Sequence, residues 1–443
     1  MDLEDKLKLL KKEREVRSRS QKIRDTWEKI DKDEEASVKE KLERLISLTK
    51  KGKKEKERKP EIPPLEPLPR EALLVFENPY PLNVKYGKIP LSKGLEIKGE
   101  VLSYLSRSRE FENLDLSTSL FIDLETTGLS GGAGVVPFLV GLGFYKNDKF
   151  NVVQFFLGDL AEEERLIQQL GQFFSQMNFR SIITFNGKGF DMPLLETRFT
   201  LHRHPLSLNE LPHLDFLFSA RSLWKHKYES CRLFHLAQEI VEADRSEDIP
   251  AAEIPIRYFE YLRTGNFSLM ESVLYHNQED ILSLLGVVIV GAMLFSEERE
   301  TLEEAAADAM DFFGVAKLFE SAGHSDKSAL FFQRALEGKL SEEIALIAKK
   351  KLSYHFKKSK DWDKAISIWQ DMTSLNQLFC FRELAMYFEH KEKKYEEAKK
   401  IAEEGLALSQ GISLTYQQDF SHRLERLKGK IRRQKVKAEK ESD

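Results

Sequence analysis

The stretch Leu-Phe-Ile-Asp-Leu-Glu-Thr-Thr-Gly at residues 120–128 decides the fold. Its apolar start, rich in aromatic and β-branched side chains, and its turn-forming end predict a core strand closed by a turn. Because strand side chains repeat every two residues, Asp123 and Glu125 share one face. Two carboxylates on one face of a core strand repel each other and lose hydration unless a cation lies between them. The alternative is an edge strand whose polar face meets water.

A second motif, Asn-Gly-Lys-Gly-Phe-Asp, occupies residues 186–191. It follows a short buried-strand pattern that starts at Ser181, and Pro193 behind it suits the first turn of a helix. Asp191 is therefore predicted at the mouth of a strand-loop-helix unit, where the ligands of open α/β sheets collect. The alternative is that Asp191 only caps the helix.

A third motif, His-Asn-Gln-Glu-Asp, occupies residues 276–280 in a helical pattern that runs from about Leu269 to Phe295. Residues four apart stack on one helical face, so His276 and Asp280 point the same way. His276 and Asp280 are either residues of a functional site or a pair of core residues that hydrogen-bond to each other. The apolar end of this helix is too short to span a membrane and predicts a core helix.

Together the three motifs resemble those of the DEDD superfamily of 3′–5′ exonucleases, which includes DnaQ-type proofreading subunits. The chain resembles in particular the bacterial YprB-like branch, which pairs this domain with tetratricopeptide repeats. The resemblance covers roughly residues 73–295 and implies an α/β ribonuclease H-like domain with a mixed sheet flanked by helices. It also implies that Asp123, Glu125, Asp191 and Asp280 hold two divalent ions, Mg²⁺ or Mn²⁺, for the hydrolysis of DNA or RNA.

The resemblance further implies two groups of substrate-binding residues. The loop after the first motif would approach the terminal nucleotide, and two residues of the second motif would flank the strand being cut. These residues are Thr126, Thr127, Gly128 and Leu129 in the first group and Asn186 and Phe190 in the second.

The general base is the point at which the chain departs from the superfamily. Proofreading-type members place a His five residues before the last Asp, and polymerase-linked members place a Tyr four before it. Here the two are exchanged, with Tyr275 at minus five and His276 at minus four. At about 100° per residue, His276 lies roughly 40° from Asp280 around a continuous helix and Tyr275 roughly 140° away. The pattern predicts His276 as the base, and a kink before Asp280 would reverse this.

The remaining patterns of this region predict structure rather than chemistry. Segments 137–145 and 152–157 are predicted strands that form an antiparallel meander with the first motif. A capping-box-like start at residues 159–162 predicts a helix that leads back to the second motif. The glycine cluster at residues 131–134 predicts a tight turn or a substrate-facing loop.

Several charged residues between the second and third motifs have two interpretations each. Asp215 is a helix-end residue or a further carboxylate around the metal ions. Arg221, Lys225, Lys227 and Arg232 contact phosphates or form a solvated basic face.

The flanking regions have distinct compositions within a chain of 443 residues and net charge −4. Residues 1–69 form a charged basic arm and a Pro-rich linker, which predict a solvated, partly helical segment or a contact with nucleic acid or a partner. No apolar leader follows Met1, and two cysteines are too few for a disulfide framework, which favours the cytoplasm and no membrane.

Residues 300–424 are predicted to form tetratricopeptide-like helical repeats behind a nuclease domain at residues 70–299. Segments starting at Ser325, Trp362 and Tyr395 align on a small residue at intervals close to the roughly 34-residue period. Such repeats present a concave surface for a protein partner, or they cap the nuclease domain. Residues 425–443 are a basic tail, predicted to be disordered.

Two classes of function remain open from the sequence. The first is a metal-dependent 3′–5′ exonuclease with His276 among its catalytic residues. The second is a catalytically weak, nuclease-like scaffold that binds nucleic acid while its repeats recruit a protein. The four carboxylates and His276 favour the enzyme, because a scaffold has no physical reason to keep mutually repelling acids in one pocket.

Overall fold

The computed structural model describes residues 73–128 and 134–442. The predicted arm and linker at residues 1–69 lie outside the described residues, as do Leu129 and most of the glycine cluster. The described residues belong to one compact unit, which contains every feature below.

A mixed six-stranded sheet forms around the first motif. Its strands are β1 (Leu73–Pro81), β4 (Ser119–Thr126), β5 (Pro137–Lys146), β6 (Lys149–Leu157), β7 (Ser181–Thr184) and β8 (His213–Asp215), in the order β1-β6-β5-β4-β7-β8. A separate ribbon consists of β2 (Lys85–Tyr86) and β3 (Ile89–Pro90). The antiparallel meander of β4, β5 and β6 is confirmed. Strand β7 pairs parallel with β4 and places the second motif beside the first. The pairing of β1 with β6 was not predicted.

The sheet is covered on both faces, which fixes where the first motif points. The helices of this region are α1 (Gly99–Ser106), α2 (Glu163–Met177), α3 (Asp191–Leu201), α4 (Phe216–Trp224), α5 (Leu233–Leu236), α6 (Ile254–Thr264) and α7 (Ser268–Met293). Leu120, Ile122 and Leu124 enter a core shared with α2, α3 and α6. Phe121 enters a second core with α1, α4 and α7. Asp123 and Glu125 therefore lie on the face of Phe121, against α7.

The rest of the described chain is helical, which confirms an all-α region behind the sheet. Its helices are α8 (Arg299–Glu304), α9 (Ala309–Ser321), α10 (Ser325–Glu337), α11 (Glu342–Ser359), α12 (Trp362–Thr373), α13 (Leu378–Tyr387), α14 (Tyr395–Ser409) and α15 (Leu414–Ser442). The three aligned segments begin α10, α12 and α14. Their assignment to tetratricopeptide repeats stays a prediction, as do the domain boundaries. None of the described helices is long and apolar enough to cross a membrane.

Helices α4 and α9 join the sheet region to the helical region through close contacts. Gly314 lies against the backbone of Leu223, where a Cβ would come within 2.4 Å of the carbonyl oxygen. Trp224 Nε1 donates to Asp311 Oδ1 at 3.1 Å, and Lys227 Nζ lies 2.6 Å from Asp311 Oδ2. One hydrophobic core continues from α4 into α9. Lys227, a candidate phosphate contact, is thus part of this junction.

The predicted disorder of the basic tail is wrong, because α15 continues to Ser442. Leu424 and Leu427 of α15 are buried in a core with the two preceding helices. Arg426 and Lys430 donate to Glu389 at 2.6 and 2.9 Å, and this carboxylate is fully buried. The Lys, Arg, Glu and Gln residues of the tail are good helix formers, so a helix anchored at its start continues through them.

Candidate active site

Asp123 is held in place by a buried amide of α7. Asn277 Nδ2 donates to Asp123 Oδ2 at 2.8 Å and to its main-chain oxygen at 3.2 Å. Behind it, Gln154 Nε2 donates to Asn277 Oδ1 at 2.9 Å. A Cβ at Gly141 would lie 2.2 Å from that same oxygen, so the glycine makes room for the amide. This network locks one carboxylate of the first motif against α7.

Asp191 is the first residue of α3, and Phe190 holds the N-cap position. The preceding loop is fixed by Asp215, which accepts from Asn186 N at 2.7 Å and from Lys188 N at 3.1 Å. Asp215 also caps α4 by accepting from Leu217 N. The helix-end interpretation of Asp215 is confirmed, and the same carboxylate shapes the loop that leads to Asp191.

His276, the first residue of the third motif, lies between Glu125 and Asp280, and Asp248 orients its ring from the other side. Its Nδ1 donates to Asp248 Oδ1 at 2.6 Å. Its Nε2 lies 3.6 Å from Glu125 Oε1 and 3.5 Å from Asp280 Oδ2. Helix α7 is continuous through this segment, which satisfies the condition attached to the prediction for His276. Tyr275 lies beside Glu279 instead, and burial followed by that carboxylate raises the pKa of its hydroxyl.

Arg245 is a member of the site that the sequence analysis missed. Its Nη1 lies 2.5 Å from Asp280 Oδ1, its Nη2 contacts Asp248, and the side chain is fully buried. Its guanidinium lies 5.1 Å from the ring centroid of Phe234. Arg245 therefore holds one oxygen of Asp280 and leaves Oδ2 towards His276. Neither Arg245 nor Asp248 belongs to a periodic pattern or a motif, so nothing in the sequence pointed to them.

The carboxylates of the three motifs influence one another's protonation. Burial, followed by Asp280, Glu125 and Asp191, raises the pKa of Asp123 well above its usual range. Burial also raises the pKa of Glu125 to about 8, and burial with Asp215 raises the pKa of Asp191 to about 7. Burial alone would lower the pKa of His276, but Asp280, Asp248 and Glu125 raise it to about 9. The site is a buried region of excess negative charge.

The donor set fits divalent cations in its chemistry. Within residues 73–128 and 134–442, no three His, Cys, Asp or Glu side chains already stand as a metal-binding group. Glu125 and Asp280 nevertheless both approach His276 Nε2, at 3.6 and 3.5 Å, and the charges of Asp280, Glu125 and Asp191 all raise the pKa of Asp123. Buried carboxylates that repel each other must bind protons or cations, and hard oxygen ligands suit Mg²⁺ and Mn²⁺. The positive charge of Arg245 offsets only one of the four negative charges, through its ion pair with Asp280.

The residues expected to bind substrate lie around this cluster, apart from Leu129, which is outside the described part of the chain. Thr126 Oγ1 donates to the Gly128 oxygen at 2.8 Å, and Thr127 Oγ1 accepts from Val136 N at 3.0 Å. These bonds shape the turn after β4. Asn186 and Phe190 are exposed in the loop before α3, and 55% of Phe190 is accessible.

Comparison with known proteins identifies the family of this chain. The RNase_H_2 family of the RNase_H superfamily matches residues 120–290. The uncharacterized protein YprB of Bacillus subtilis (strain 168) is 33% identical over 371 residues, which are 81% of this chain and 86% of that protein. The chain belongs to the YprB family. The ribonuclease H-like fold is thus confirmed for this YprB-family chain, and the superfamily includes nucleases.

Among solved structures, a family B DNA polymerase from the hyperthermophilic archaeon Pyrobaculum calidifontis matches this YprB-family chain with a TM-score of 0.33 and 16% identity. The match covers 48% of this chain and 28% of the polymerase chain. The YprB-family chain therefore spans under a third of that polymerase.

Replacing Asp248 by Asn is expected to lower turnover of the YprB-family protein by about 10- to 100-fold with little change in KM, because residues that orient a site's functional groups contribute on this scale. The Asn side chain keeps the size of Asp248 but weakens its bonds to His276 and Arg245. Steady-state kinetics on an oligonucleotide substrate measures both constants. A rise in KM at unchanged kcat would mean that Asp248 acts on substrate binding instead.

The stability of the metal-free protein is expected to decrease as pH rises. Glu125 and Asp191 hold protons more tightly when folded, since their pKa values of about 8 and about 7 exceed the usual range near 4. The stability they contribute is complete below about pH 4 and is lost as pH rises through 7 and 8. In chelator, the free energy of unfolding should fall by at least about 2 kcal/mol from about pH 5 to about pH 8.

Denaturant unfolding at each pH, with and without saturating Mg²⁺, measures this effect. His276 changes stability in the same direction at higher pH, because its pKa is also raised. Bound cations replace the protons, so Mg²⁺ should flatten the profile. Equal slopes in chelator and in Mg²⁺ would show that the carboxylates bind no cation.

Proposed function

We propose that this YprB-family protein is a metal-dependent 3′–5′ exonuclease that hydrolyses phosphodiester bonds of DNA or RNA. The observation that carries the proposal is the convergence of four carboxylates from three motifs. Burial and the charges of Asp280, Glu125 and Asp191 all raise the pKa of Asp123. Such a cluster, set at the junction of β4, the loop before α3 and α7, has the composition that phosphodiester hydrolysis with divalent ions requires.

Each site residue has a distinct part in the proposed reaction. Asp123, Glu125, Asp191 and Asp280 would hold two Mg²⁺ or Mn²⁺ ions. When bound, such ions activate a water and stabilise the leaving oxygen of a phosphodiester. His276 presents Nε2 towards Glu125 and Asp280, whose charges help to raise its pKa to about 9 in the metal-free protein. Bound cations would offset those charges and lower this pKa, so that the neutral ring would take the proton from the attacking water.

Two positioning residues would support that step. Asp248 accepts the Nδ1 proton of His276 and so fixes the orientation of the ring. Arg245 holds Oδ1 of Asp280, which leaves Oδ2 on the side of His276. The turn of Thr126, Thr127 and Gly128 would approach the terminal nucleotide.

One observation favours the second candidate, a nuclease-like scaffold of low activity. Arg245 pairs with Asp280 at 2.5 Å, and a guanidinium at a metal-ligand carboxylate competes with the cation for its oxygens. In that case the tetratricopeptide-like helices would carry the function by recruiting a protein partner. Metal-dependent turnover separates the two candidates, since a scaffold binds nucleic acid without cutting it.

The test is incubation of the purified protein with 5′-labelled single- and double-stranded DNA and RNA, with Mg²⁺, Mn²⁺ or chelator. The proposal predicts a ladder of shortened labelled products that depends on the metal and is blocked by a modified 3′ end. Release of internal fragments from a substrate with both ends blocked would indicate an endonuclease. Intact substrates in all arms, with nucleic acid still bound, would favour the scaffold.

A further inference from the structure

Helix α4 carries an exposed stripe of aromatic and basic side chains. Phe218, Arg221 and Lys225 follow one another at intervals of three and four residues, so they share one face of the helix and its C-terminal end. All three are exposed, and half of the Phe218 side chain is accessible. The buried residues of α4, including Leu223 and Trp224, occupy the opposite side.

The cations of this stripe have no ion-pair partner among the residues that the structure describes. Arg221 and Lys225 form no salt bridge there, whereas Lys227 is bound by Asp308 and Asp311. Arg107, at the end of α1, reaches the same surface and donates to Ser222 Oγ at 2.6 Å. The pairing of Lys227 shows that the helical region supplies carboxylates at the junction but none to the stripe.

The positive surface continues onto the helical region. Lys317 Nζ on α9 lies 3.5 Å from Nε2 of His226, which is the residue directly after Lys225 in the chain. Burial, followed by the charges of Lys225 and Arg107, lowers the pKa of Lys317. Burial is the largest cause, and the contributions of Lys225 and Arg107 act in the direction expected of like charges that lie close together.

Two carboxylates border this surface and do not neutralise it. Glu320 is bound by Lys351 at 2.7 Å. Glu343 acts on His226 only after the larger opposing effects of burial and the neighbouring lysines.

The N-terminal end of α4 lies beside the candidate active site. Asp215 caps α4 and holds the loop of Asn186 and Lys188, which leads directly to Phe190 and Asp191. Lys188 and Phe190 are exposed in that loop. The nine residues of α4 span about 14 Å at 1.5 Å per residue. The stripe thus links the carboxylate cluster to the first helices of the helical region.

We propose that a single-stranded nucleic acid lies along α4, with its phosphates on Arg221, Lys225 and Lys317 and a base stacked on Phe218. Uncompensated cations held close together favour a polyanion, and aromatic rings between them suit the exposed bases of a single strand. The inference rests on the proposed function in one respect, that the end of this strand enters the carboxylate cluster. It gives the helical region a direct contact with substrate, since Lys317 belongs to α9.

The test measures binding in chelator, so that cleavage plays no part in the result. The variant Arg221→Gln, Lys225→Gln, Lys317→Gln is compared with a matched variant Lys400→Gln, Lys428→Gln, Arg433→Gln. The matched variant removes the same charge from exposed positions on α14 and α15. The probe is a fluorescent single strand of about 12 nucleotides, comparable with known single-strand site sizes, as DNA in one arm and RNA in another.

The stripe variant should bind at least about tenfold more weakly, and the slope of log affinity against log salt should fall by about 2, or roughly 0.7 per lost phosphate contact. The matched variant should keep the wild-type slope. Equal slopes for the stripe variant and the wild type would overturn the proposal, as would equal losses in both variants.

Two further measurements test the single-strand assignment. Phe218→Ala should weaken binding without changing the salt slope, because stacking releases no counterions. A duplex of the same length that binds as tightly as the single strand would overturn the assignment. If the protein binds along α4 but releases no nucleotides in Mg²⁺, the proposed activity fails while this inference stands.

Discussion

Replacing Asp123 by Asn is expected to reduce nucleotide release by about 10³-fold or more, since losing a metal ligand removes several kcal/mol of transition-state stabilisation. The substitution keeps an oxygen for the amide of Asn277, which now donates to Asp123 Oδ2 at 2.8 Å. The local structure should therefore survive. Single-turnover release of labelled nucleotide in Mg²⁺ gives the rate constants.

The same variant should be more stable than the wild type in chelator, because a neutral amide removes repulsion among buried carboxylates. Asp326→Asn is the matched control, since that side chain is fully exposed on α10. The control should change neither activity nor stability. Wild-type turnover in the Asp123→Asn protein, with contaminating nuclease excluded, would contradict the assignment of the four carboxylates to metal ions.

Replacing His276 by Ala is expected to slow the chemical step by about 10²- to 10⁴-fold, the usual contribution of a general base. The ring is buried between Asp248, Glu125 and Asp280, and its Nε2 faces the two carboxylates of the candidate metal site. Tyr275→Phe should change the rate little, because Tyr275 lies beside Glu279 on a different face of α7 from His276 and Asp280. Metal affinity should be largely preserved in both variants.

The measurement is single-turnover cleavage by both variants from about pH 6 to about pH 9, the range in which a histidine base changes charge. Calorimetric titration with Mn²⁺ reports metal affinity separately. A collapse of activity in Tyr275→Phe beside near-normal His276→Ala would exchange the two roles. Loss of Mn²⁺ binding in His276→Ala would show that the imidazole holds the metal site together instead.

The strands and the long helix around the motifs were predictable because their patterns are local. The apolar run before Asp123 and its period-two alternation specify a buried strand, and residues 269–295 specify a helix that is observed as Ser268–Met293. The prediction of His276 rather than Tyr275 as the base also rests on local geometry, and the continuous α7 meets its condition while the role itself stays a prediction. In a continuous helix, only the residue at minus four shares the face of Asp280.

The residues that position the site were not predictable, because they depend on contacts between distant parts of the chain. Asn277 and Gln154 are 123 positions apart and meet only when α7 packs on β6. Arg245 and Asp248 lie in a loop without periodicity and reach His276 and Asp280 through the tertiary fold. For Asn277 and Gln154, the available sign of a role in the site was a polar residue within an apolar helix or strand. Such residues equally suit a purely structural hydrogen-bond network.

The roles of the charged residues in α4 and in the basic tail also depend on tertiary contacts that the sequence does not reveal. Lys225 and Lys227 are two residues apart, and the sequence offered the same two interpretations for both. Packing of α4 on α9 binds Lys227 to Asp308 and Asp311 and leaves Lys225 exposed. The basic tail was predicted from its composition alone, but its first turns are anchored on the buried Glu389.

The most direct test of the account is anomalous diffraction from crystals of the protein soaked with Mn²⁺. A two-metal centre would give two anomalous peaks about 4 Å apart among Asp123, Glu125, Asp191 and Asp280, because that separation is typical of such sites. The Asp123→Asn protein should lose at least one of them. Absence of any peak at the four carboxylates, with Arg245 still paired to Asp280, would contradict the claim that these residues form the metal centre of a nuclease.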